Sequence, residues 1–256
     1  MTAARDQILG SIRRSLKRGP LGEAETAALR ARLASPGRNL VPARAAALDP
    51  PAQRDLFTAM AQEVQTTVDR VASLAEVPAA VASYLAAENL PAELVMAPDP
   101  ALDDIPWHER PLLQFRRGRA EPGDQVSLTP AFAGIAETGT LMLVSGAETP
   151  STLNFLPDTH IVVLRAEQVV PSLEEAWTKL RARQAARGDA ALPRTVNFVT
   201  GPSRTGDIEQ RIQLGAHGPR RLHVVFVDEP VATEPSAAIP SSPSAPPSPP
   251  PLAGEG

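Results

Sequence analysis

A single carboxylate lies in the middle of an apolar stretch of the sequence. Residues 131–144 read AFAGIAETGTLMLV, and Glu137 is the only charged residue among them. Apolar sequence on both sides predicts a buried backbone, and a charge held there is costly unless it is paired, hydrogen-bonded or turned into a cleft. Two interpretations are open: Glu137 caps a turn or pairs with an arginine, or it points into a site as a base or hydrogen-bond acceptor.

A second candidate is the turn GPSRTGDIE at 201–209, which follows a predicted strand and precedes a predicted helix. Free backbone N–H groups and the helix dipole favour an anion at such a turn. Ser203 and Thr205 add hydroxyl groups, and Arg204 adds a positive charge. Asp207 stands where a nucleoside-triphosphate-binding loop has its lysine, which excludes that kind of loop. The turn is therefore either a capped helix start or a site for an anion such as a carboxylate.

The four histidines give little support to a metal site. They lie at 108, 160, 217 and 223, and none belongs to a metal-binding spacing such as HExxH. His217 lies just past the predicted helix end and between glycines, so it is the best placed of the four for solvent contact. The sequence contains neither a GxSxG nucleophile elbow nor a GxGxxG dinucleotide fingerprint. We therefore expect no metal in this chain.

Composition limits the class of protein. The chain has 256 residues and a formal net charge of −4, which gives no general attraction to nucleic acid or to an anionic membrane. It contains no cysteine, which excludes disulfides, thiolate nucleophiles and cysteine-ligated clusters within it. The N-terminal segment is charged and lacks the long apolar core of a signal peptide. No stretch approaches the ~20 apolar residues needed to cross a bilayer, so we expect a cytoplasmic protein without membrane insertion.

Hydrophobic spacing predicts helices and strands that alternate along the chain. The i, i+4 pattern and helix-ending residues predict helices over 6–17, 23–33, 53–73, 78–88, 172–186 and 208–214, with 35–51 as an extended linker. In the helix over 172–186, Arg181 and Arg183 are expected on the exposed side. Apolar runs predict strands over 94–97, 112–115, 125–129, 140–144, 160–165, 195–200 and 222–227.

Continuous apolar strands separated by helices are typical of an α/β fold with a mostly parallel sheet flanked by helices. We predict an N-terminal helix and linker over 1–52, one α/β domain over 53–228, and a disordered tail rich in Pro, Ser and Ala over 229–256. Ligands bind such sheets at the carboxyl ends of the strands. Glu137 and the 201–209 turn are both expected near strand ends.

Four segments taken together resemble one known family. They are IAETGTLMLVSG at 135–146, LPDTHIVVL at 156–164, GPSRTGDIE at 201–209 and GAHGPRRLHVVFVD at 215–228. They are similar to motifs of the LUD-domain family, and within it to the lactate utilization protein C group. The resemblance covers roughly residues 55–228 and implies a fold like that of the NagB/RpiA/CoA-transferase group.

The resemblance also implies a function. It suggests an accessory component of a system that oxidises L-lactate to pyruvate, together with two partners. One partner is a cysteine-rich-domain protein (LutA-like), and the other is an iron–sulfur protein with its own LUD domain (LutB-like). Because this chain has no cysteine, iron–sulfur clusters are expected in the partners and no cofactor in this chain.

Two other functions stay open. Some proteins of related fold use a glutamate near a glycine as a covalent nucleophile towards coenzyme A, and Glu137-Thr138-Gly139 resembles that arrangement. The chain could thus be a stand-alone enzyme of the CoA-transferase or sugar-phosphate-isomerase type, or a non-catalytic scaffold. If a site exists, we expect Glu137 in a catalytic role and a ligand or anion held by Thr138, Gly139, Ser203, Arg204, Thr205 and His217. An arginine fork suits a carboxylate substrate such as lactate.

Overall fold

The computed structural model describes residues 2–17, 19–35, 37, 41–188, 192–205 and 213–229. The predicted tail over 229–256 therefore lies, from residue 230 onward, outside the described residues. Seven α-helices are present in the described part of the chain. They are α1 (Thr2–Ser15), α2 (Glu23–Ala34), α3 (Ala43–Ala46), α4 (Pro50–Glu63), α5 (Val77–Ala87), α6 (Thr152–Phe155) and α7 (Leu173–Ala186).

The same part of the chain contains twelve strands. They are β1 (Thr67–Val71), β2 (Glu93–Met96), β3 (Gln114–Arg117), β4 (Val126–Pro130), β5 (Ala133–Ile135), β6 (Thr140–Val144), β7 (Thr159–Arg165), β8 (Val169–Val170), β9 (Val196–Val199), β10 (Arg204–Thr205), β11 (Gln213–Leu214) and β12 (Arg221–Val227).

Six of these strands form the main sheet, in the order β1, β12, β7, β4, β2, β3. Every neighbouring pair in it is parallel. Parallel sheets are usually covered on both faces, which is why their central strands read as continuous apolar runs. In β7, Ile161 and Val163 pack on one face with residues of α5, and Val162 and Leu164 pack on the other with residues of α4. The predicted fold class, a mostly parallel sheet flanked by helices, is confirmed.

A second, four-stranded sheet extends from the carboxyl edge of the main sheet. Its order is β8, β5, β6, β9. Only two residues separate β4 from β5, and three separate β7 from β8, so neighbouring strands of the main sheet continue into neighbouring strands of the second one. Helix α7 covers this sheet through Ala176 and Leu180, which pack against Ile135 and Met142. The second sheet and α7 thus enclose the edge at which ligands bind in parallel sheets.

Part of the segment before the main sheet packs into the core, although the sequence predicts an N-terminal helix and a linker there. Helices α1 and α2 occur where helices are predicted, and α2 has no buried residue. The expected linker over 35–51 contains α3, whose Ala45 is fully buried in the core beside α4. Helix α4 begins at Pro50, so the boundary predicted between residues 52 and 53 falls inside a helix.

Three sequence predictions of secondary structure need correction. The helix predicted over 53–73 ends at Glu63, and the strand β1 begins at Thr67. Valines at i, i+4 spacing fit a helix, but Val68 and Val71 here lie in an edge strand that pairs with β12. The strand near 195–200 is not buried in the main sheet: β9 pairs antiparallel with β6 in the second sheet and is only partly covered.

The third correction concerns only the last two residues of the helix predicted over 208–214, because residues 206–212 lie outside the described residues. Gln213–Leu214 form β11, which pairs antiparallel with β10. Separately, none of the described helices is long and apolar enough to span a membrane.

His160 lies in β7 at the centre of the main sheet and is fully buried. Its Nε2 is 2.8 Å from Thr129 Oγ1, and burial lowers its pKa to about 3. An unfolded histidine titrates near pH 6.5, so the unfolded state takes up a proton that the folded state resists. We expect the free energy of unfolding to fall by about 1.4 kcal/mol per pH unit on this account between pH 6.5 and about 3.

The change His160→Gln should remove that component of the pH dependence, although it lowers stability at pH 7. His108→Gln is the matched control, because His108 is exposed in the short 3₁₀ helix Trp107–Glu109. Urea unfolding at pH 7, 6 and 5 measures the slopes. Equal slopes for His160→Gln and the wild type would contradict the assignment.

Candidate functional site

Three of the predicted site residues line one small cavity. We call it the turn cavity, and its volume is about 230 Å³. Its walls combine the 199–204 segment, the loop before β12 and an aromatic residue of α6. They include Phe155, Phe198, Thr200, Gly201, Ser203, Arg204, His217, Gly218 and Leu222. The structure thus brings Ser203, Arg204 and His217 together.

Ser203 joins the two loops that form this cavity. Its backbone N–H donates to Pro219 O at 2.8 Å, and its carbonyl accepts from Gly215 N at 3.0 Å. Its hydroxyl oxygen accepts from His217 N at 3.2 Å. The serine hydroxyl therefore orders the loop that carries His217, and among the described residues its own hydrogen has no acceptor, so it can donate to a ligand.

Arg204 is directed at the end of a helix. Its Nη2 donates to Val64 O at 3.1 Å, at the carboxyl end of α4. A cation there satisfies a free carbonyl and interacts favourably with the helix dipole. Thr205 is buried, and its backbone pairs with Gln213 across β10 and β11. Both residues thus have structural contacts that the sequence did not indicate.

Gly139 of the predicted site and Gly201, which begins the 201–209 turn, pack against that same helix end. Gly139 has φ +63°, and a Cβ on it would lie 2.2 Å from Ala61 N. Gly201 has φ +84°, and a Cβ on it would lie 2.4 Å from Val64 O. Any side chain would collide with backbone at either position, so both glycines are required for packing.

Glu137 does not line the turn cavity. It lies in the turn between β5 and β6, and its Oε1 accepts from Leu173 N at 3.1 Å, in the first turn of α7. A carboxylate at a helix N-terminus satisfies a free N–H and interacts favourably with the dipole. Its Oε2 is buried and has no hydrogen-bond partner among the described residues. The expected grouping of Glu137 with Arg204 and His217 around one opening is thus not found, because the carboxylate turns towards α7.

A chain of hydroxyl groups nevertheless connects the two regions. Thr138 Oγ1 lies 2.7 Å from Thr140 Oγ1, which lies 2.7 Å from Thr200 Oγ1. Thr200 lines the turn cavity, whereas Thr138 is next to Glu137. The two stretches singled out in the sequence are therefore neighbours, although their charged groups face different helices.

His160 and His223 have structural roles. His160 is paired with Thr129 in the sheet, as described above. His223 is buried in β12, stacks on Tyr84 at 3.8 Å between ring centroids, and lies 2.9 Å from Thr67 Oγ1 through Nδ1. Burial lowers the pKa of His223 to about 4, and it raises that of Tyr84 to about 12. Among the described residues, no cluster of three or more His, Asp or Glu side chains is arranged to hold a metal ion.

A larger cavity, which the sequence reasoning missed, lies beside α7. We call it the basic cavity, and its volume is about 320 Å³. Lys179 and Arg183 of α7 line one wall together with Arg187, the residue that follows this helix. The ends of β4 and β6 form the other walls. The polar and aromatic lining residues are Asp99, Phe132, Ser145, Glu148, Thr149, Gln168, Lys179, Arg183 and Arg187.

Arg183 is not exposed as predicted. It is half-buried, and its guanidinium carbon lies 4.3 Å from the centre of the Phe132 ring. Burial lowers the pKa of Arg183 and of Lys179, and the charge of Arg187 lowers the pKa of Arg183 further. A signal for this wall is present in the sequence, since residues 179, 183 and 187 are spaced by four and share one helix face.

Comparison with known proteins identifies similarities to one region in the second half of the chain. Residues 123–227 match the model of the LUD domain. The chain is similar to lactate utilization protein C of Geobacillus thermodenitrificans, with 35% identity over 115 residues, 44% of this chain and 47% of the relative. Lactate utilization protein C 1 of Bacillus mycoides is 38% identical over 95 residues, 37% of this chain and 40% of the relative. The chain thus spans less than half the length of the curated relatives it matches.

One solved structure extends the similarity beyond this region. The crystal structure of a DUF162 family protein from Deinococcus radiodurans superposes with a TM-score of 0.53 at 26% sequence identity. It covers 70% of this chain and 99% of the other. The resemblance inferred from the four motifs is confirmed, because the region that contains them matches the model of the LUD domain and is similar to proteins named lactate utilization protein C.

Proposed function

We propose that this chain takes part in lactate utilization, as an accessory component of an iron–sulfur system that oxidises L-lactate to pyruvate. The observation that carries the proposal is the similarity of the LUD region to several proteins named lactate utilization protein C. The role of an accessory component follows from the electron transfer that this reaction requires.

Oxidation of lactate to pyruvate releases two electrons and two protons, and the electrons need an acceptor. The sequence has no cysteine to ligate an iron–sulfur cluster. We therefore assign the clusters to partner proteins of the LutA-like and LutB-like kind. We assign to this chain the binding and positioning of a ligand, and we place it in the cytoplasm.

The turn cavity is the proposed ligand site for this role. Within the described part of the chain the Ser203 hydroxyl hydrogen has no acceptor, and Arg204 uses Nη2 on Val64 O but keeps further N–H donors. His217 lies on the same wall. A small carboxylate could accept from all three groups, whereas Thr138, Gly139 and Thr205 would support the loops around it.

The alternative, a stand-alone enzyme of the CoA-transferase or sugar-phosphate-isomerase type, depends on Glu137. The buried, unpartnered Oε2 favours a reactive role, because buried polar atoms normally have partners. The bond from Leu173 N to Oε1 favours a structural role, in which Glu137 fixes the start of α7. A non-catalytic scaffold is the remaining option, and it fits the structural contacts of Glu137 and Arg204.

Deletion of the gene tests the pathway directly. In a strain without another lactate dehydrogenase, we expect loss of growth on L-lactate but not on glucose, with recovery when the full chain is supplied. Co-purification of the tagged chain with iron–sulfur proteins from lactate-grown cells tests the accessory role. Normal growth of the deletion strain on L-lactate would contradict the proposal.

Substitution of Glu137 separates the two roles of this residue. Glu137→Ala should lower the free energy of unfolding by about 1 kcal/mol, because it removes an acceptor at the start of α7. Glu137→Gln keeps an oxygen at that place and should cost less, while still restoring growth on lactate. Urea unfolding and complementation measure both effects. A Glu137→Gln protein that is as stable as the wild type but fails to restore growth would instead support the enzyme alternative.

A further inference from the structure

We propose that the basic cavity binds a hydroxylated organic carboxylate that is longer than lactate. Its carboxylate would contact Lys179, Arg183 and Arg187, and its hydroxyl groups would face Asp99 and Glu148. The proposal concerns a site other than the turn cavity, and it does not depend on the role in lactate utilization.

The position of the cavity is that of a ligand site in a parallel sheet. Pro130 ends β4, Asp99 follows β2, and Val144 ends β6 where the second sheet meets the first. Ligands of open α/β sheets bind outside the carboxyl ends of the strands. The volume of about 320 Å³ is at the lower limit of pockets that hold drug-sized ligands, ~300–1,000 Å³. A three-carbon acid would fill only a small part of it.

The charges of Asp99 and Glu148 act on Arg183 across the cavity, but among the described residues no carboxylate pairs directly with a cation of the α7 wall. Lys179 donates to Glu167 O at 3.0 Å, and Arg183 stacks on Phe132 while its Nε is buried without a hydrogen-bond partner. Within the described part of the chain, none of the three cations forms an ion pair within 4.0 Å. Like charges spaced by four on a helix repel each other. An anion bound between them would relieve that repulsion.

Arg183 is prepared to hold a planar anion. Stacking on Phe132 fixes the plane of the guanidinium group and leaves its edge for hydrogen bonds. A guanidinium edge binds a carboxylate through two parallel N–H···O bonds. Because Arg183 is half-buried, such bonds would be less weakened by water than those of a surface arginine.

The carboxylates of Asp99 and Glu148, on the other side of the cavity, favour a ligand that carries hydrogen-bond donors. Asp99 Oδ1 accepts from Ala101 N at 2.9 Å, so its second oxygen is available for a hydroxyl group. Glu148 is exposed on the same cavity. The lining therefore combines three positive and two negative side chains. A single carboxylate with several hydroxyl groups matches this balance, whereas a dianion without hydroxyl groups does not.

Other polar groups of the wall already have partners. Thr149 Oγ1 donates to Val144 O, Ser145 Oγ accepts from Thr195 N, and the Gln168 amide bonds to Ala131 O and Arg165 N. The Ser145 hydroxyl can still donate its hydrogen, so it and the charged residues are the groups left to recognise a ligand.

Three six-carbon probes test each half of the proposed ligand on the purified full chain. D-gluconate carries a carboxylate and five hydroxyl groups, hexanoate carries only the carboxylate, and D-sorbitol carries only hydroxyl groups. By calorimetric titration at low salt we expect D-gluconate to bind at least about tenfold more tightly than hexanoate, with no detectable binding of D-sorbitol. L-lactate, as a fourth probe, should bind more weakly than D-gluconate.

Variants then assign the binding to this cavity. Arg183→Gln should weaken D-gluconate binding by at least about tenfold, and Asp99→Asn should weaken D-gluconate but not hexanoate. Arg181→Gln is the matched control, because Arg181 lies on the same helix but over Trp177 and outside the cavity. If Arg183→Gln does not fold, Arg187→Gln replaces it, since that side chain is exposed.

Several results would overturn the proposal. They are no binding of D-gluconate, equal binding of D-gluconate and D-sorbitol, or unchanged affinity in both Arg183→Gln and Arg187→Gln. None of these results bears on growth of the deletion strain on lactate, so the two proposals fail separately.

Discussion

The close approach of α4 to two glycine turns constrains the whole region that the sequence singles out. The carboxyl end of α4 lies so near Gly139 and Gly201 that a Cβ at either position would collide with backbone atoms. One turn belongs to the second sheet, and the other precedes β10. The helix end therefore holds both segments in one place, and the threonine chain from Thr138 to Thr200 continues that contact. Residues far apart along the chain become neighbours through packing, without a ligand.

The two charged residues of these turns also act on helix ends, with opposite signs. Arg204 donates to a carbonyl at the carboxyl end of α4, and Glu137 accepts from an N–H in the first turn of α7. Each charge complements the partial charge of the helix end that it contacts. These contacts give a physical reason for a lone carboxylate in an apolar stretch, since a hydrogen-bonded N–H offsets part of the cost of burial. They also hold α7 in a fixed position, and α7 carries the cations of the basic cavity.

The sequence could predict the main sheet because its strands carry the signal of two-sided burial. The apolar runs of β7 and β12 contact helices on both faces, and a continuous run is the pattern that such burial produces. Short edge strands carry a weaker signal, which is why the spacing of Val68 and Val71 favours a helix. Strand β9 is likewise at an edge, and its residues are only partly covered. Pairing across the second sheet depends on contacts distant in sequence, and residue spacing does not report them.

The basic cavity was missed for a different physical reason. A row of Lys and Arg on a helix normally faces water, and Arg181 on α7 does so. Arg183 is only two residues away, but the second sheet folds back over that face of the helix and places Phe132 beneath its guanidinium group. The distinction between a solvated charge and one that lines a cavity arises from this packing and not from residue type. Cations that the fold brings to the carboxyl edge without a direct ion pair among the described residues are therefore better candidates for ligand recognition than Glu137 and Arg204, whose charges already stabilise helix ends.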